Sequence, residues 1–428
     1  MASTKERARA LVDEINSAGA CSHPIRLQGE TVNTATGELR QGTLKVPCKD
    51  RRAALCPSCS RLYGADAWIL VAAGLNGGKG VPEGVSSHPR LFATLTAPSF
   101  GQVHTMSTST RRCHARRPPE RCGHGEPTWC MDAHDHGDER LGAPLCDRCF
   151  DAHGAVLWNA SASVLWDRTM VRLRRQLAAS QGLTTTELGR VAQVHYLKVA
   201  ELQRRGLVHF HALLRADGTE GAGSAPPEWL TAELLAATLR SVVDTTEVLG
   251  LDEEPRCWGT QFDVADLLSV EGGDRRIAAY LAKYATKTTD GSLAFARRFA
   301  NHVEISRLQT APHLRRLALT AWRLGLSREL RALRLRDHAH TLGYRGQLIT
   351  KSRGYSTTFT SLRGARVDFR AGQSHEDPIL GSFNYDGRGY DDPKAADVAK
   401  LFFELEQDLR RQTKRNEGSQ VLAPVACP

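Results

Sequence analysis

Two alternating apolar runs joined by a short polar link set the tightest limit on this chain. Residues 191–201 (VAQVHYLKVAE) and 207–214 (LVHFHALL) flank Arg204-Arg205-Gly206. Alternation with β-branched and aromatic residues reads as a strand pair, and three residues ending in glycine read as a hairpin loop closing through a left-handed position. That closure pairs Gln203 with Leu207, which sets Glu201 opposite His209 and Val199 opposite His211. Side chains alternate between faces along a strand, and directly opposed residues share a face. His209, His211 and Glu201 therefore fall together, while Val208, Phe210 and Ala212 bury the other face. Two imidazoles beside a carboxylate can chelate one metal ion. The competing reading is a pair of hydrogen-bonded histidines, and a register slip of one brings in Gln203 as the alternate ligand.

A second chemical signal follows in a predicted helix at about 274–289, which contains Arg275-Arg-Ile-Ala-Ala-Tyr280-Leu-Ala-Lys283-Tyr284-Ala-Thr-Lys287. Residues three and four apart are neighbours on a helix, so Tyr280 and Tyr284 stack one turn apart and Lys283 and Lys287 follow their tyrosines by three. Small neighbours leave the phenols accessible. A tyrosine becomes a nucleophile on phosphorus once its proton is removed and the phosphate charge is neutralised. A divalent ion meets the second need, and a lysine helps to position the phosphate. Tyr284, with Lys283 and Lys287 on either side, is the expected first attacker, and Tyr280 its partner or replacement.

Eleven cysteines in a chain without a secretion signal favour metal binding or free thiols over disulfides. Cys56-Pro-Ser-Cys59 offers two thiolates to one tetrahedral ion, and Cys21 and Cys48 complete a Cys₄ zinc site, with His23 as a substitute ligand. A second concentration fills residues 104–154, where Gly, Pro and charged residues sustain no periodicity. Such a segment needs metal to organise it. Cys122, Cys130, Cys146 and Cys149 are the expected ligands of one zinc there, with Cys113 and His124 as alternates. A second ion in the same segment brings the range to one to three zinc ions.

The net charge of +10 and the pI near 9.2 point to a polyanionic partner. No run approaches 18 apolar residues and the N-terminus is polar, so a cytoplasmic protein without a membrane partner is expected. Leu314 to Arg336 reads as a helical stretch with seven arginines. Lys351-Ser-Arg-Gly-Tyr-Ser356 adds short polar donors. Arg204 and Arg205 at the hairpin loop, Arg328 and Arg331, and Lys351 and Arg353 are the expected DNA contacts. The organisation read from these signals is a zinc-binding segment at 1–85 and a catalytic domain at 86–300, with its zinc insertion at 104–154. A basic region at 301–412 and a disordered tail at 413–428 follow.

Phe92-Ala-Thr94-Leu-Thr96, His209-Phe-His211 and Tyr280 through Lys287, in that order, resemble the three motifs of HUH endonucleases that initiate rolling-circle replication. Cys56-Pro-Ser-Cys59, Thr96-Ala-Pro-Ser-Phe-Gly101, Pro144-Leu-Cys-Asp-Arg-Cys149, Arg205-Gly-Leu-Val-His-Phe-His211 and Lys351-Ser-Arg-Gly-Tyr355 look like the initiators of actinobacterial plasmids and integrative elements. That likeness spans roughly residues 20–365. It implies an α+β fold with a ferredoxin-like HUH core, a central antiparallel sheet of about five strands, zinc-binding insertions and a helical basic C-terminal region. The His-Phe-His strand would be central, with the tyrosine helix across the sheet face. The resemblance also implies Mn²⁺ or Mg²⁺ at the histidines and attack by tyrosine on origin DNA, single-stranded or extruded. A 5′-phosphotyrosyl link and a free 3′-hydroxyl primer would result, with host helicase and DNA polymerase as partners. Relaxases and HUH transposases share this chemistry, but tyrosines that follow the histidines favour an initiator. A non-enzymatic zinc-dependent DNA-binding regulator is the reading from a different class.

Overall fold

A computed structural model describes residues 4–34, 36–107, 112–114, 120–267, 273–286, 297–373, 379–392 and 394–420. Helix α1 (Thr4–Ser17), strands β1 (Ile25–Asn33) and β2 (Leu39–Val46) and helix α2 (Pro57–Asn76) come first. Strand β3 (Arg90–Leu95), helices α3 (Ala152–Ser180) and α4 (Thr185–Val191) and the pair β4 (Gln193–Leu202) and β5 (Val208–Asp217) follow. Next are α5 (Ala232–Thr245), β6 (Glu247–Leu249), β7 (Pro255–Cys257), β8 (Phe262–Asp266) and α6 (Gly273–Thr286). The chain continues through α7 (His302–Ser306), α8 (Pro312–Leu324), β9 (Ile349–Lys351), α9 (Phe359–Gln373), β10 (Ile379–Arg388) and α10 (Ala395–Gln420).

These elements divide into two compact units, one made of residues 1–67 with 358–428 and the other of residues 68–357. The boundaries read from the sequence at 85, 300 and 412 do not coincide with this division. In the first unit β1 pairs with β2 and β10 in an antiparallel sheet ordered β10-β1-β2. Asp66 takes a bidentate pair of bonds from Arg366 at 2.5 and 2.8 Å, which ties α2 to α9. Helix α10 runs to Gln420, through the start of the expected disordered tail, and residues 421–428 lie outside the described ones.

The second unit is built on a five-stranded antiparallel sheet ordered β8-β3-β5-β4-β9. The fold is thus α+β, and β5 is the central strand. Every residue of β5 is buried, because both faces of the sheet are covered. On one face Phe210 meets Trp166, Trp258 and Tyr344 edge-on, with ring centroids 5.7 to 6.1 Å apart, and α3 runs beneath. The apolar spacing from Val156 to Ala178 becomes α3, capped by Asp151, whose side chain accepts from the Gly154 amide. Helices α5 and α8 pack on α3. Over the opposite face α6 lies against β4. The expected single helix from Leu314 to Arg336 is not formed. Helix α8 stops at Leu324 before Gly325, and the arginines beyond sit on turns and a short 3-10 helix (Arg331–Leu333), with Arg334 in the left-handed region at φ +48°. No described helix is long and apolar enough to cross a membrane.

Candidate metal and tyrosine site

The hairpin closes as its sequence requires. Gly206 adopts φ +80°, the Gln203 amide donates to the Leu207 carbonyl at 2.8 Å, and Glu201 pairs with His209 and Val199 with His211. Asn159 of α3 fixes the turn from below, donating to the Gly206 carbonyl at 2.9 Å and accepting from the Val208 amide at 3.0 Å. The two imidazoles share a face with ring centroids 4.5 Å apart. His211 is 2 % exposed and His209 8 %.

Each histidine has assigned partners. Nε2 of His211 lies 3.3 Å from Glu201 Oε2, and its Nδ1 lies 3.3 Å from Thr94 Oγ1. His209 Nδ1 lies 3.3 Å from Gln203 Nε2. Because Gln203 Oε1 already accepts from Arg205 Nε at 2.8 Å, the amide turns its NH₂ toward His209 and makes that Nδ1 an acceptor. Burial, with smaller contributions from His211 and Arg205, pushes His209 down to about 3, so the ring is neutral and can serve as a ligand. The His211–Glu201 contact is a gap that a cation can bridge in place of a proton. Glu201, His209 and His211 do not, however, form a set with all donor atoms within 4.8 Å, as three other groups of described residues do.

Tyr280 of α6 stands edge-on to His211 at 5.2 Å and to Phe92 at 6.0 Å between centroids, and it is 39 % exposed. Tyr284 and Lys283 follow on the same helix, but their side chains are not among those described, and Lys287 lies outside the described residues. On β8, Asp263 pairs with Thr94 and is exposed on the histidine face. Sequence reading missed it, although the register of β8 was the only signal needed. A further polar set on this face also escaped the sequence reading. Arg215 and Asp217 make a buried bidentate pair at 2.7 and 2.8 Å, joined by His88 at 2.7 Å. They continue the period-two pattern of His209 and His211 along the same strand.

The expected DNA contacts are placed unequally. Arg328, Arg331 and Arg353 are exposed. Lys351 Nζ is turned back on the Ser352, Arg353 and Ser356 carbonyls. Arg205 is engaged with Gln203 and with the carbonyls of Ala97 and Pro98, at 3.1 and 3.3 Å. Arg204 donates to the carbonyls of His136 and Asp138, at 2.6 and 3.2 Å. The hairpin arginines thus hold protein backbone.

A family model described as RepSA, replication initiator protein, pSAM2, matches residues 7–404. The chain is 37 % identical over 439 residues to a replication initiator protein of Streptomyces ambofaciens, with 94 % of this chain and 91 % of that protein covered. The chain belongs to the RepSA family of replication initiators. No solved structure matches it.

Among the described residues of this initiator, three groups of Cys and His side chains could each hold a metal ion. Cys21, Cys48, Cys56 and Cys59 come together as expected, in the first unit. Cys21 and Cys56 sulfurs lie 3.7 Å apart, close to the ~3.8 Å edge of a tetrahedron with Zn–S bonds of ~2.3 Å and far from a disulfide at ~2.05 Å. The Cys59 thiol is pushed far up, first by its hydrogen bond with Cys21, and Cys56 is pushed far down by bonds from Cys21 and Cys48. The donor set fits zinc. In the insertion the expected grouping is corrected. Cys122, Cys146 and Cys149 gather with His124, whereas Cys130 lies in a separate group with His104, Cys113 and His134. Cys130 is drawn there by exchanging backbone bonds with His114 at 2.9 and 3.0 Å. Spacing along the chain does not encode that bridge.

Proposed function

We propose that this initiator nicks and rejoins one DNA strand at a replication origin in rolling-circle mode, with Tyr280 as the first nucleophile. The reading rests above all on the Tyr280 ring lying against His211, on the face shared by His209 and Glu201. The phenol loses its proton, Oη attacks the scissile phosphorus, and the P–O3′ bond breaks. The 3′ oxygen takes up a proton and leaves as a hydroxyl that primes synthesis, while the 5′ end stays on tyrosine. The phosphotyrosyl ester conserves the phosphodiester energy, so rejoining needs no nucleotide. His209, His211 and Glu201 would hold Mn²⁺ or Mg²⁺, which supplies charge neutralisation at the phosphate. Imidazole donors suit Mn²⁺ better than Mg²⁺. Thr94 and Gln203 orient the rings from the flanks, and Tyr284, four residues further along α6, would act in the second cleavage. The expected partners are origin DNA, host helicase and host DNA polymerase.

The test is incubation of the purified chain with Mn²⁺ and supercoiled plasmid bearing the cognate origin. Relaxed circles with protein attached to a 5′ end support the proposal. Binding without any relaxation overturns it.

A further inference from the structure

The insertion between β3 and α3 holds a second donor group whose position gives it a task. His104 Nδ1 and His134 Nε2 lie 3.1 Å apart, Cys130 Sγ is 3.3 Å from His134 Nε2, and Cys113 Sγ is 3.9 Å from His104 Nδ1. Those separations are near the ~3.3–3.8 Å edges of a tetrahedron built on Zn–N and Zn–S bonds. Cys113, Cys130 and His134 are buried. His134 turns its other nitrogen to Asp138 Oδ2 at 2.6 Å, the carboxylate partner that orients a ligating imidazole.

The lobe organised around this group docks on the hairpin tip. Arg204 reaches the carbonyls of His136 and Asp138, just beyond His134. Gly142, at φ +84°, packs so closely that a Cβ there would lie 2.4 Å from the Arg204 carbonyl carbon. The hairpin itself is anchored independently by Asn159 and by His313, whose Nε2 lies 2.9 Å from the Arg205 carbonyl. The lobe is therefore the dependent partner. Between it and the end of β3 runs a cleft of about 570 Å³, bordered by Thr96, Pro98, Val103, His104, Gln203 and Arg204. Gln203 carries the cleft to His209. Its volume lies within the ~300–1,000 Å³ of small-molecule sites.

We propose that His104, Cys113, Cys130 and His134 bind a zinc ion separate from the one held by Cys122, His124, Cys146 and Cys149. This ion folds the outer wall of a cleft that takes an unpaired nucleotide of the DNA strand entering the histidine face. The nucleotide rests on the nicking proposal, but the ion and the wall do not. A cleft with glutamine and threonine edges, Pro98 and Val103 walls and the Arg204 and Arg205 side chains at its border matches a base.

The full chain is assayed for zinc by elemental mass spectrometry, for backbone exchange by deuterium labelling, and for binding of a short single-stranded origin oligonucleotide. Three zinc ions per chain are expected. Cys130→Ser should lose one, speed exchange in residues 102–106 and 130–143, leave β4 and β5 protected, and weaken oligonucleotide binding at least tenfold. Cys146→Ser should also lose one zinc but keep binding within about threefold. Arg204→Ala, which touches no ligand, should keep three zinc ions yet speed exchange in 136–143. Retention of all three ions by Cys130→Ser overturns the site. Unchanged exchange in Arg204→Ala overturns the docking. Full oligonucleotide binding by a Cys130→Ser chain that has lost its zinc overturns the cleft, whether or not the plasmid is nicked.

Discussion

The hairpin register that assembles Glu201 with the two histidines depends on Gly206, and Gly206→Ala tests that dependence quantitatively. At φ +80° an alanine costs about 1 kcal/mol in backbone strain. Its Cβ would also lie 2.2 Å from Leu317 Cδ1 and 3.2 Å from Leu342 Cδ1, and forcing a methyl into a packed core costs ~1–3 kcal/mol. The single change should therefore destabilise by ~2–4 kcal/mol, a large part of the ~5–15 kcal/mol that holds a typical domain. Leu317→Ala alone removes a fully buried side chain and should cost ~2–5 kcal/mol. In the double variant the new methyl enters the space that Leu317 vacates. The steric part disappears while the backbone strain remains, so the pair should cost ~1–3 kcal/mol less than the sum. Urea unfolding followed by tryptophan fluorescence reads this directly, because all seven tryptophans lie in residues 68–357. Strict additivity, or a neutral Gly206→Ala, would refute the account of the turn.

Other consequences can be measured in the same chain. Lys198 is buried over Phe210 at 4.0 Å and Trp166 at 5.3 Å, and burial pushes its ammonium down from 10.5 to about 8. Between pH 8 and 10.5 the unfolded chain holds a proton that the native chain has released, so stability rises with pH across that window and the full penalty stands below it. Lys198→Met should then stabilise the second unit at pH 7 by ~1–3 kcal/mol, the shift less the lost cation–π attraction. The gain should fade toward pH 10.5, and a gain independent of pH would count against the burial argument. His211→Ala and His209→Ala should each reduce nicking more than tenfold, with Glu201→Ala close behind, and unaltered metal-dependent nicking by either histidine variant would remove the metal assignment. Cys56→Ser should lose one zinc and open the first unit, since structural zinc contributes ~10–16 kcal/mol. Tryptophan fluorescence should stay native, and a simultaneous loss of the fluorescence signal would contradict the division into two units.

What the sequence disclosed was what local periodicity can carry. The runs around Arg204-Arg205-Gly206 and the glycine in the left-handed position determined the β4–β5 register, and the apolar spacing of α3 and α6 located those helices. Partition of the insertion's ligands was hidden, because Cys113 and Cys130 are brought together by backbone bonds exchanged between His114 and Cys130, which spacing does not record. Charge was legible but its direction was not. Arg205 looks like a DNA contact in the sequence, yet its side chain turns inward to the Ala97 and Pro98 carbonyls. The helix expected through Arg336 ended at Gly325, a break that leucine and arginine periodicity overrode on paper. Tyr284 has the better lysine spacing, but among the described side chains it is Tyr280 whose ring meets His211, since the approach of α6 to the sheet is a tertiary fact.

The most direct test of the central claim is mass spectrometry of the peptide covalently linked to DNA after nicking in Mn²⁺. A 5′-phosphotyrosyl adduct on Tyr280 is the predicted result. An adduct on any other residue, or relaxed circles with no protein attached, would contradict the placement of the nucleophile at the histidine face.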